Sequence, residues 1–172
     1  MYMSKPVIDT FGNKEWRNVD GVLHREDGPA IILSSGSQLY YRHGKEHRID
    51  GPAVEWAIGS KEWWVNGQLH REDGPAIEWA NGTNEWWFHG KRHRPDGPAV
   101  IYGSGDKFWY QNGEYHREDG PAVIFADGYK QWYLNGRKYT EEEFIVKTTN
   151  PVKELTVAEI EKLLGYQVKV VK

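Results

Sequence analysis

Five of the seven histidines recur at a fixed spacing of 23 residues, and imidazole is both a common metal ligand and a general base. They are His24, His47, His70, His93 and His116. In a stack of β-hairpins equivalent side chains lie about 10 Å apart, because neighbouring strands are about 4.8 Å apart. Two nitrogens that bind one ion must lie within about 4 Å of each other. We therefore predict that these histidines hydrogen-bond to loop neighbours and that the chain has no metal site.

An arginine follows each of these histidines, and an aspartate stands two residues after the arginine, as in Arg71 and Asp73. A guanidinium group binds phosphate in a bidentate manner, which makes candidate phosphate ligands of Arg48, Arg71 and Arg94. In the other interpretation each arginine pairs with its aspartate, which also caps the Gly-Pro turn that follows. The cancelling charges and the presence of the pair in every copy favour this structural role.

These residues belong to a 23-residue repeat with the signature His-Arg-x-Asp-Gly-Pro-Ala, and its five copies follow one another without an insertion. Each signature precedes a strand-like segment, a glycine turn, an aromatic segment and a tight turn such as Asn66-Gly67. The pattern predicts a mainly β fold, an elongated single antiparallel sheet of tandem hairpins. We assign it to residues 1–140, including a partial N-terminal repeat.

Residues 87–93, Trp-Phe-His-Gly-Lys-Arg-His, resemble the MORN repeat, in which an aromatic residue precedes Gly-Lys-x-His at the same repeat length. The chain departs from the family directly afterwards, where residues 94–99 replace a short Gly-x-Gly. The likeness spans residues 11–139, and the variant signature is similar to repeat proteins of viruses, including phages. The resemblance implies tethering of proteins or lipids and no single reaction.

Residues 141–172 differ in kind from the repeats. Thr156 is a predicted helix N-cap, Val157 to Leu164 a predicted helix that Gly165 closes, and residues 167–171 a predicted strand. We expect this helix–strand segment to cap the open end of the sheet or to mediate homo-oligomerisation.

Composition restricts the function classes. The chain has no cysteine, which excludes a thiolate metal site and a cysteine nucleophile and fits a reducing compartment. Its net charge of −3 opposes duplex nucleic-acid binding, which normally needs a basic excess. We expect no leader, because no charged-then-apolar stretch opens the sequence, and no membrane span, because no apolar run approaches the ~18 residues that one needs. We expect a soluble, cytoplasmic protein, in the host cytoplasm if it is viral.

Aromatic residues fill two adjacent columns, whose side chains point to opposite faces of the sheet. The first column is Tyr40, Trp63, Trp86, Trp109 and Trp132, and the second is Tyr41, Trp64, Trp87, Tyr110 and Tyr133. If the first turn pairs residue 32 with residue 39, the first column shares a core face with Ile31, Val54, Ile77, Val100 and Val123.

The same register would place Glu55 opposite Glu62 and Glu78 opposite Glu85, and like charges in such positions destabilise a strand pair. We therefore predict an acidic and aromatic patch that binds a cationic or arginine-rich partner, because indole faces attract cations. Its residues are Glu55, Glu62, Trp64, Glu78, Glu85, Trp87 and Tyr110. In the alternative interpretation this face is solvated and its glutamates meet Lys61 or Lys107.

An open sheet offers no deep pocket, and the sequence has no nucleotide loop, nucleophile elbow or His-Glu-x-x-His motif. We predict a non-enzymatic, cofactor-free binding or scaffold module whose aromatic face engages a protein partner, and the viral likeness suggests a phage-encoded inhibitor of a host or defence protein. The alternative is an oligomeric sponge that holds a nucleotide-type ligand between Trp or Tyr rings and an arginine. Anionic lipid binding is opposed by the net charge.

Overall fold

The computed structural model describes residues 5–149, 157–165 and 167, and in that part of the chain the repeats form successive short hairpins. The strands are β1 (Val7–Ile8), β2 (Lys14–Glu15), β3 (Ile31–Ile32), β4 (Gln38–Leu39), β5 (Tyr41–Arg42), β6 (Lys45–Glu46), β7 (Val54–Glu55), β8 (Lys61–Glu62), β9 (Trp64–Val65), β10 (Gln68–Leu69), β11 (Ile77–Glu78), β12 (Asn84–Glu85), β13 (Trp87–Phe88), β14 (Lys91–Arg92), β15 (Val100–Ile101), β16 (Lys107–Phe108), β17 (Tyr110–Gln111), β18 (Glu114–Tyr115), β19 (Val123–Ile124), β20 (Lys130–Leu134) and β21 (Arg137–Tyr139). Two helices follow, α1 (Glu141–Thr149) and α2 (Val157–Leu164).

Each repeat contains two hairpins rather than one. In the unit that begins at Val54, β7 pairs with β8, and β9 then pairs with β10 across the turn at Asn66 and Gly67. Both turn residues have positive φ, 53° at Asn66 and 78° at Gly67, as a two-residue hairpin turn requires. The tight turn predicted at Asn-Gly is confirmed.

The first hairpins of all units lie side by side and, together with β21, form one 13-stranded antiparallel sheet. Its order is β1-β2-β3-β4-β7-β8-β11-β12-β15-β16-β19-β20-β21. The second hairpins of four units form separate two-stranded sheets, β5 with β6, β9 with β10, β13 with β14 and β17 with β18. The predicted mainly β fold of tandem hairpins is confirmed.

We number six units along the sheet: unit 1 (residues 7–23), unit 2 (31–46), unit 3 (54–69), unit 4 (77–92), unit 5 (100–115) and unit 6 (123–139). The five His-Arg-x-Asp-Gly-Pro-Ala segments are the loops between these units. The N-terminal stretch, expected as a half repeat, contributes β1 and β2 and a bridge between Arg17 and Leu23. Unit 1 therefore has the plan of the others, with one extra residue in its second turn.

The register of the first hairpin differs by one residue from the prediction, which was wrong. Residue 32 pairs with Gln38 and not with residue 39, because the loop has five residues instead of six. The loop closes through Gly36, whose φ is 93° and whose N–H donates to the Leu33 carbonyl at 2.9 Å. In unit 3 this register places Glu55 opposite Lys61, and it places Glu62 opposite Val54.

The corrected register changes the composition of the two faces. Of the five predicted core residues, Val54, Ile77, Val100 and Val123 are 0–6% exposed, as expected, whereas Ile31 is only half-buried. Their face also holds Glu62 and Glu85, because directly paired residues share a face. The first aromatic column, assigned to that core face, lies instead on the opposite face. The signature alanines are completely buried and complete the core: Ala30, Ala53, Ala76, Ala99 and Ala122.

The C-terminal segment begins with a helix that the sequence analysis did not predict. At the start of α1 the Glu143 N–H donates to Thr140 Oγ1 at 3.2 Å, and the Thr140 N–H donates to the Glu143 carboxylate at 2.9 Å. This reciprocal pair is a capping box. Phe144 is 4% exposed, on the helix that packs against β20 and β21.

The predicted helix from Val157 to Leu164 is confirmed as α2, and it ends at Gly165, whose φ is 73°. The predicted cap at Thr156 lies outside the described residues, and so does the predicted strand except for Gln167. Within the described part of the chain no helix is long and apolar enough to cross a bilayer.

Candidate functional site

The five signature histidines hold neighbouring units together. Each accepts, at Nδ1, a hydrogen bond of 3.0–3.2 Å from the backbone N–H of the first turn residue in the next second hairpin, as His47 does from Asn66. An Nδ1 that accepts places the ring proton on Nε2. The predicted structural role of these histidines is confirmed. Among the described residues no group of three or more His, Asp or Glu side chains is arranged to hold a metal ion.

The five signature arginines share three internal contacts. Arg71 stacks on Trp63 with 4.0 Å between its Cζ and the ring centroid, and equivalent stacks recur at 4.1–4.2 Å. Its Nε donates to Asp73 at 2.8 Å and its Nη1 to the Pro75 carbonyl at 3.2 Å. A Cβ on Gly74 would lie 3.0 Å from the guanidinium carbon, which explains the signature glycine. The predicted pairing of each arginine with its aspartate is confirmed in all five copies, with Nε to Oδ1 distances of 2.7–3.1 Å.

Two residues of the predicted patch belong to this arginine layer. Glu55 accepts from Arg48 at 2.7 Å, and Glu78 accepts from Arg71 at 3.0 Å. They lie on the opposite face from Glu62 and Glu85, since the register alternates side chains along each strand. The structure therefore divides the seven predicted residues between two faces.

The other five predicted residues share one face of the sheet. In unit 3 this face carries Trp56, Glu62, Trp64 and Leu69. We call these four positions, together with the equivalent positions in units 2, 4, 5 and 6, the variable face. Unit 2 has Leu33, Leu39, Tyr41 and Glu46 there, unit 4 has Trp79, Glu85, Trp87 and Arg92, unit 5 has Tyr102, Phe108, Tyr110 and Tyr115, and unit 6 has Phe125, Gln131, Tyr133 and Lys138. The same backbone thus presents a different set of side chains in each unit.

In unit 3 both oxygens of one carboxylate accept hydrogen bonds from indoles. Glu62 Oε1 accepts from Trp56 Nε1 at 2.7 Å, and Glu62 Oε2 accepts from Trp64 Nε1 at 2.8 Å. Two N–H donors hold the carboxylate in one orientation, because charge-assisted hydrogen bonds are short and strong. Trp56 is not among the predicted site residues, because its link to Glu62 depends on the register of the hairpin.

Unit 4 repeats this arrangement with Glu85 between Trp79 and Trp87, at 2.9 and 3.1 Å. Arg92 adds a third partner, since its Nη2 lies 3.0 Å from Glu85 Oε2. The sequence analysis did not single out Trp79 or Arg92, which meet Glu85 only through cross-strand pairing.

Tyrosines lie on the variable face on either side of these two units, one in unit 2 and three in unit 5. Burial raises the pKa of Tyr41, and a 2.7 Å hydrogen bond to Glu46 raises it further. Burial also raises the pKa of Tyr110, which packs on Tyr115 with 4.4 Å between ring centroids. Tyr110 is 8% exposed and covers the fully buried Val100, so it is a core residue as well as a predicted site residue.

A cleft of about 530 Å³ lies between two consecutive signature loops. Arg71, Trp86, Phe88, His93 and Arg94 line it, together with the acidic side chains of Glu72, Asp73 and Asp96. The sequence analysis named Arg71 and Arg94 as candidate phosphate ligands but did not identify the cleft, because its walls come from adjacent units. Arg48, the third candidate, does not line it.

No protein-family model matches the sequence. No curated protein matches it either.

Proposed function

We propose that this protein is a non-enzymatic binding module that engages a protein partner through its variable face. One observation carries the proposal: a repeated backbone presents a different set of aromatic and charged side chains in each unit. Stacked repeats commonly bind partners on such an extended surface. Trp and Tyr are also the residues that most often anchor protein interfaces. The signature residues, by contrast, are occupied by contacts within their loops and with the adjoining units.

The proposal extends to the origin and location of the protein. A MORN-like relationship would account for a tethering role without a reaction. The likeness to viral repeat proteins favours a phage-encoded inhibitor of a host or defence protein, acting in the host cytoplasm. Both follow from the resemblance of the repeat.

Site-specific photo-crosslinking in cells that express the protein tests the use of the variable face. A benzophenone side chain replaces Trp79, which is 38% exposed, and in the control it replaces Lys61, which is exposed on the opposite face. We expect a discrete adduct only from position 79. The purified partner should bind the Trp79→Ala variant at least tenfold more weakly than the unsubstituted protein. Equal adducts from both positions, or none, would contradict the proposal.

A second candidate function is the sequestration of a nucleotide-type ligand, and the cleft between the signature loops is the observation that favours it. Phe88 is 42% exposed at the cleft and offers a ring for base stacking. The charges oppose a phosphate, because three carboxylates line the cleft against two guanidinium groups that are already paired with Asp73 and Asp96.

Thermal-shift and Trp fluorescence titrations with nucleotides and cyclic dinucleotides separate the two candidates. A saturable response that Phe88→Ala abolishes and Trp79→Ala preserves would favour the nucleotide ligand over the protein partner. We expect no saturable response.

A further inference from the structure

Units 3 and 4 contain the same carboxylate–indole arrangement but differ in one residue beside it. In unit 4 the residue across the second hairpin from Trp87 is Arg92, and in unit 3 the residue across from Trp64 is Leu69. Arg92 and Leu69 are 23 positions apart and are therefore equivalent in the repeat. Unit 4 thus supplies its own cation, whereas unit 3 has an apolar residue in that place.

The guanidinium of Arg92 shows how the arrangement binds a cation. Its Nε and Nη2 lie 3.1 and 3.0 Å from Glu85 Oε2. Its Cζ also lies 5.0 Å from the ring centroid of Trp87 and 5.4 Å from that of Tyr110. The group therefore combines an ion pair with contacts to two aromatic faces.

Glu62 has the two indole donors and lacks the cation. Within residues 5–149, 157–165 and 167, no arginine or lysine forms an ion pair with Glu62, whereas Glu85 pairs with Arg92. Exposure agrees with this difference, since Glu85 is 7% exposed and Glu62 is more open to solvent. A partly buried carboxylate without a counter-ion favours the approach of an external cation.

We infer that Glu62, Trp56 and Trp64 form a binding site for the guanidinium group of an arginine on the partner protein. The inference rests on the proposed function and specifies its chemistry. Arginine is favoured over lysine because the group that fills the equivalent site in unit 4 is a guanidinium. A planar, weakly hydrated cation also stacks on an indole more readily than an ammonium group does.

A peptide probe tests the site directly. The probe is an acetylated and amidated peptide of arginines alternating with glycines, and the matched controls carry lysine or the uncharged isostere citrulline. The readout is the set of indole N–H signals of the nine tryptophans in ¹H–¹⁵N NMR spectra of the full chain. We expect saturable shifts at Trp56 and Trp64, with at least tenfold weaker binding of the citrulline peptide. A lysine peptide that binds as tightly would overturn the preference for arginine.

Three variants locate the site. Leu69→Arg recreates the arrangement of unit 4 in unit 3, so we expect the internal guanidinium to abolish peptide binding while the thermal midpoint holds or rises. Arg92→Leu removes the internal guanidinium from unit 4. Peptide-induced shifts of the Trp79 and Trp87 indole signals should then appear, and the number of peptides bound per protein should rise from one to two. Glu62→Gln should weaken binding at least tenfold. If Leu69→Arg folds and still binds the peptide with unchanged affinity, the assignment is overturned.

The same variants separate this inference from the proposed function. If the crosslinked partner binds Glu62→Gln and Leu69→Arg as tightly as the unsubstituted protein, the arginine site is wrong and the protein-binding role stands. If the arginine peptide binds as expected but no adduct forms at position 79, the site stands and the proposed use of the whole variable face fails.

Discussion

At His47 a single lone pair connects two units of the sheet. Its Nδ1 accepts the backbone N–H of Asn66 at 3.1 Å, and Asn66 is the first residue of a positive-φ turn. The histidine thus fixes the position of the next turn. Its role there is that of a hydrogen-bond acceptor and not of a general base.

Substitution of His47 tests this role. We expect His47→Ala to lower the free energy of unfolding by about 1 kcal/mol, the usual contribution of one hydrogen bond, and the thermal midpoint by a few degrees. His47→Asn should recover part of the loss, because the asparagine Oδ1 lies close to the position of the Nδ1 acceptor. Equal losses for both variants, measured by thermal and urea unfolding, would show that the ring and not the hydrogen bond is responsible.

The signature aspartates give the stability a defined pH dependence. The hydrogen bond from the neighbouring arginine holds the pKa of Asp27, Asp50, Asp73 and Asp119 below its ordinary value. The folded state therefore binds protons less readily than the unfolded state. The stabilisation is complete above the unfolded-state pKa of about 4 and is lost as the pH falls through the lower folded-state pKa.

We expect the thermal midpoint to decline below about pH 4, where the unfolded-state carboxyl groups take up protons. A variant with asparagine at all four positions should have a lower midpoint at pH 7 and a smaller decline between pH 5 and pH 2. Parallel curves for the two proteins would show that the acid sensitivity arises elsewhere.

At the scale of the element, the loop of each first hairpin is bonded to the loop of the next. Ser60 is 1% exposed, and its Oγ accepts the backbone N–H of Ala80 at 3.0 Å. Thr83 makes the same bond to Gly103 at 3.2 Å, and Asp106 makes it to Ala126 at 2.7 Å. One polar residue per loop thus satisfies one amide of the following unit.

We expect Ser60→Ala to cost about 1 kcal/mol, the usual net contribution of one hydrogen bond, because it removes the acceptor of the Ala80 amide. Ser60→Thr should cost much less, since Thr83 shows that the loop accommodates threonine. Denaturant unfolding of both variants makes the comparison. Equal destabilisation would mean that the loop tolerates neither change for steric reasons.

The strands, turns and helices also show which features of the fold can be predicted from the sequence. The 23-residue period, the Asn-Gly turns and the helix ending at Gly165 follow from local rules and were predicted. The register did not follow, because a five-residue loop and a six-residue loop around Gly36 fit the same pattern. This difference of one residue in loop length decides whether Glu62 lies opposite Glu55 or beside two indoles. The sequence therefore predicts which residue types form the candidate site but not how they are arranged. Thr140 and Glu143 have the Thr-x-x-Glu spacing of a capping box, so the start of α1 is also a local feature of the sequence.

At the scale of the whole molecule, each unit is bonded mainly to its immediate neighbours, so stability should depend on how the array ends. The loop residue of unit 6 is Tyr129, which is 56% exposed and stands where the earlier loops have Ser37, Ser60, Thr83 or Asp106. No later unit in the described chain presents an amide at this position, and an acceptor there would have no donor to bind. Helix α1 packs on β20 and β21 instead and covers the last hairpin.

Removal of the buried ring of α1 should therefore loosen one end of the molecule rather than the whole. We expect Phe144→Ala to cost about 3–5 kcal/mol in unit 6, the usual cost of deleting a buried phenylalanine. Ile145→Ala is the matched control, because Ile145 is 48% exposed on the same helix and should change little. Hydrogen exchange should show the loss of protection concentrated in β19–β21 and fading towards unit 3, since repeats couple through their neighbours. A uniform loss from unit 1 to unit 6 would mean that the array unfolds as one cooperative body and that α1 stabilises all of it.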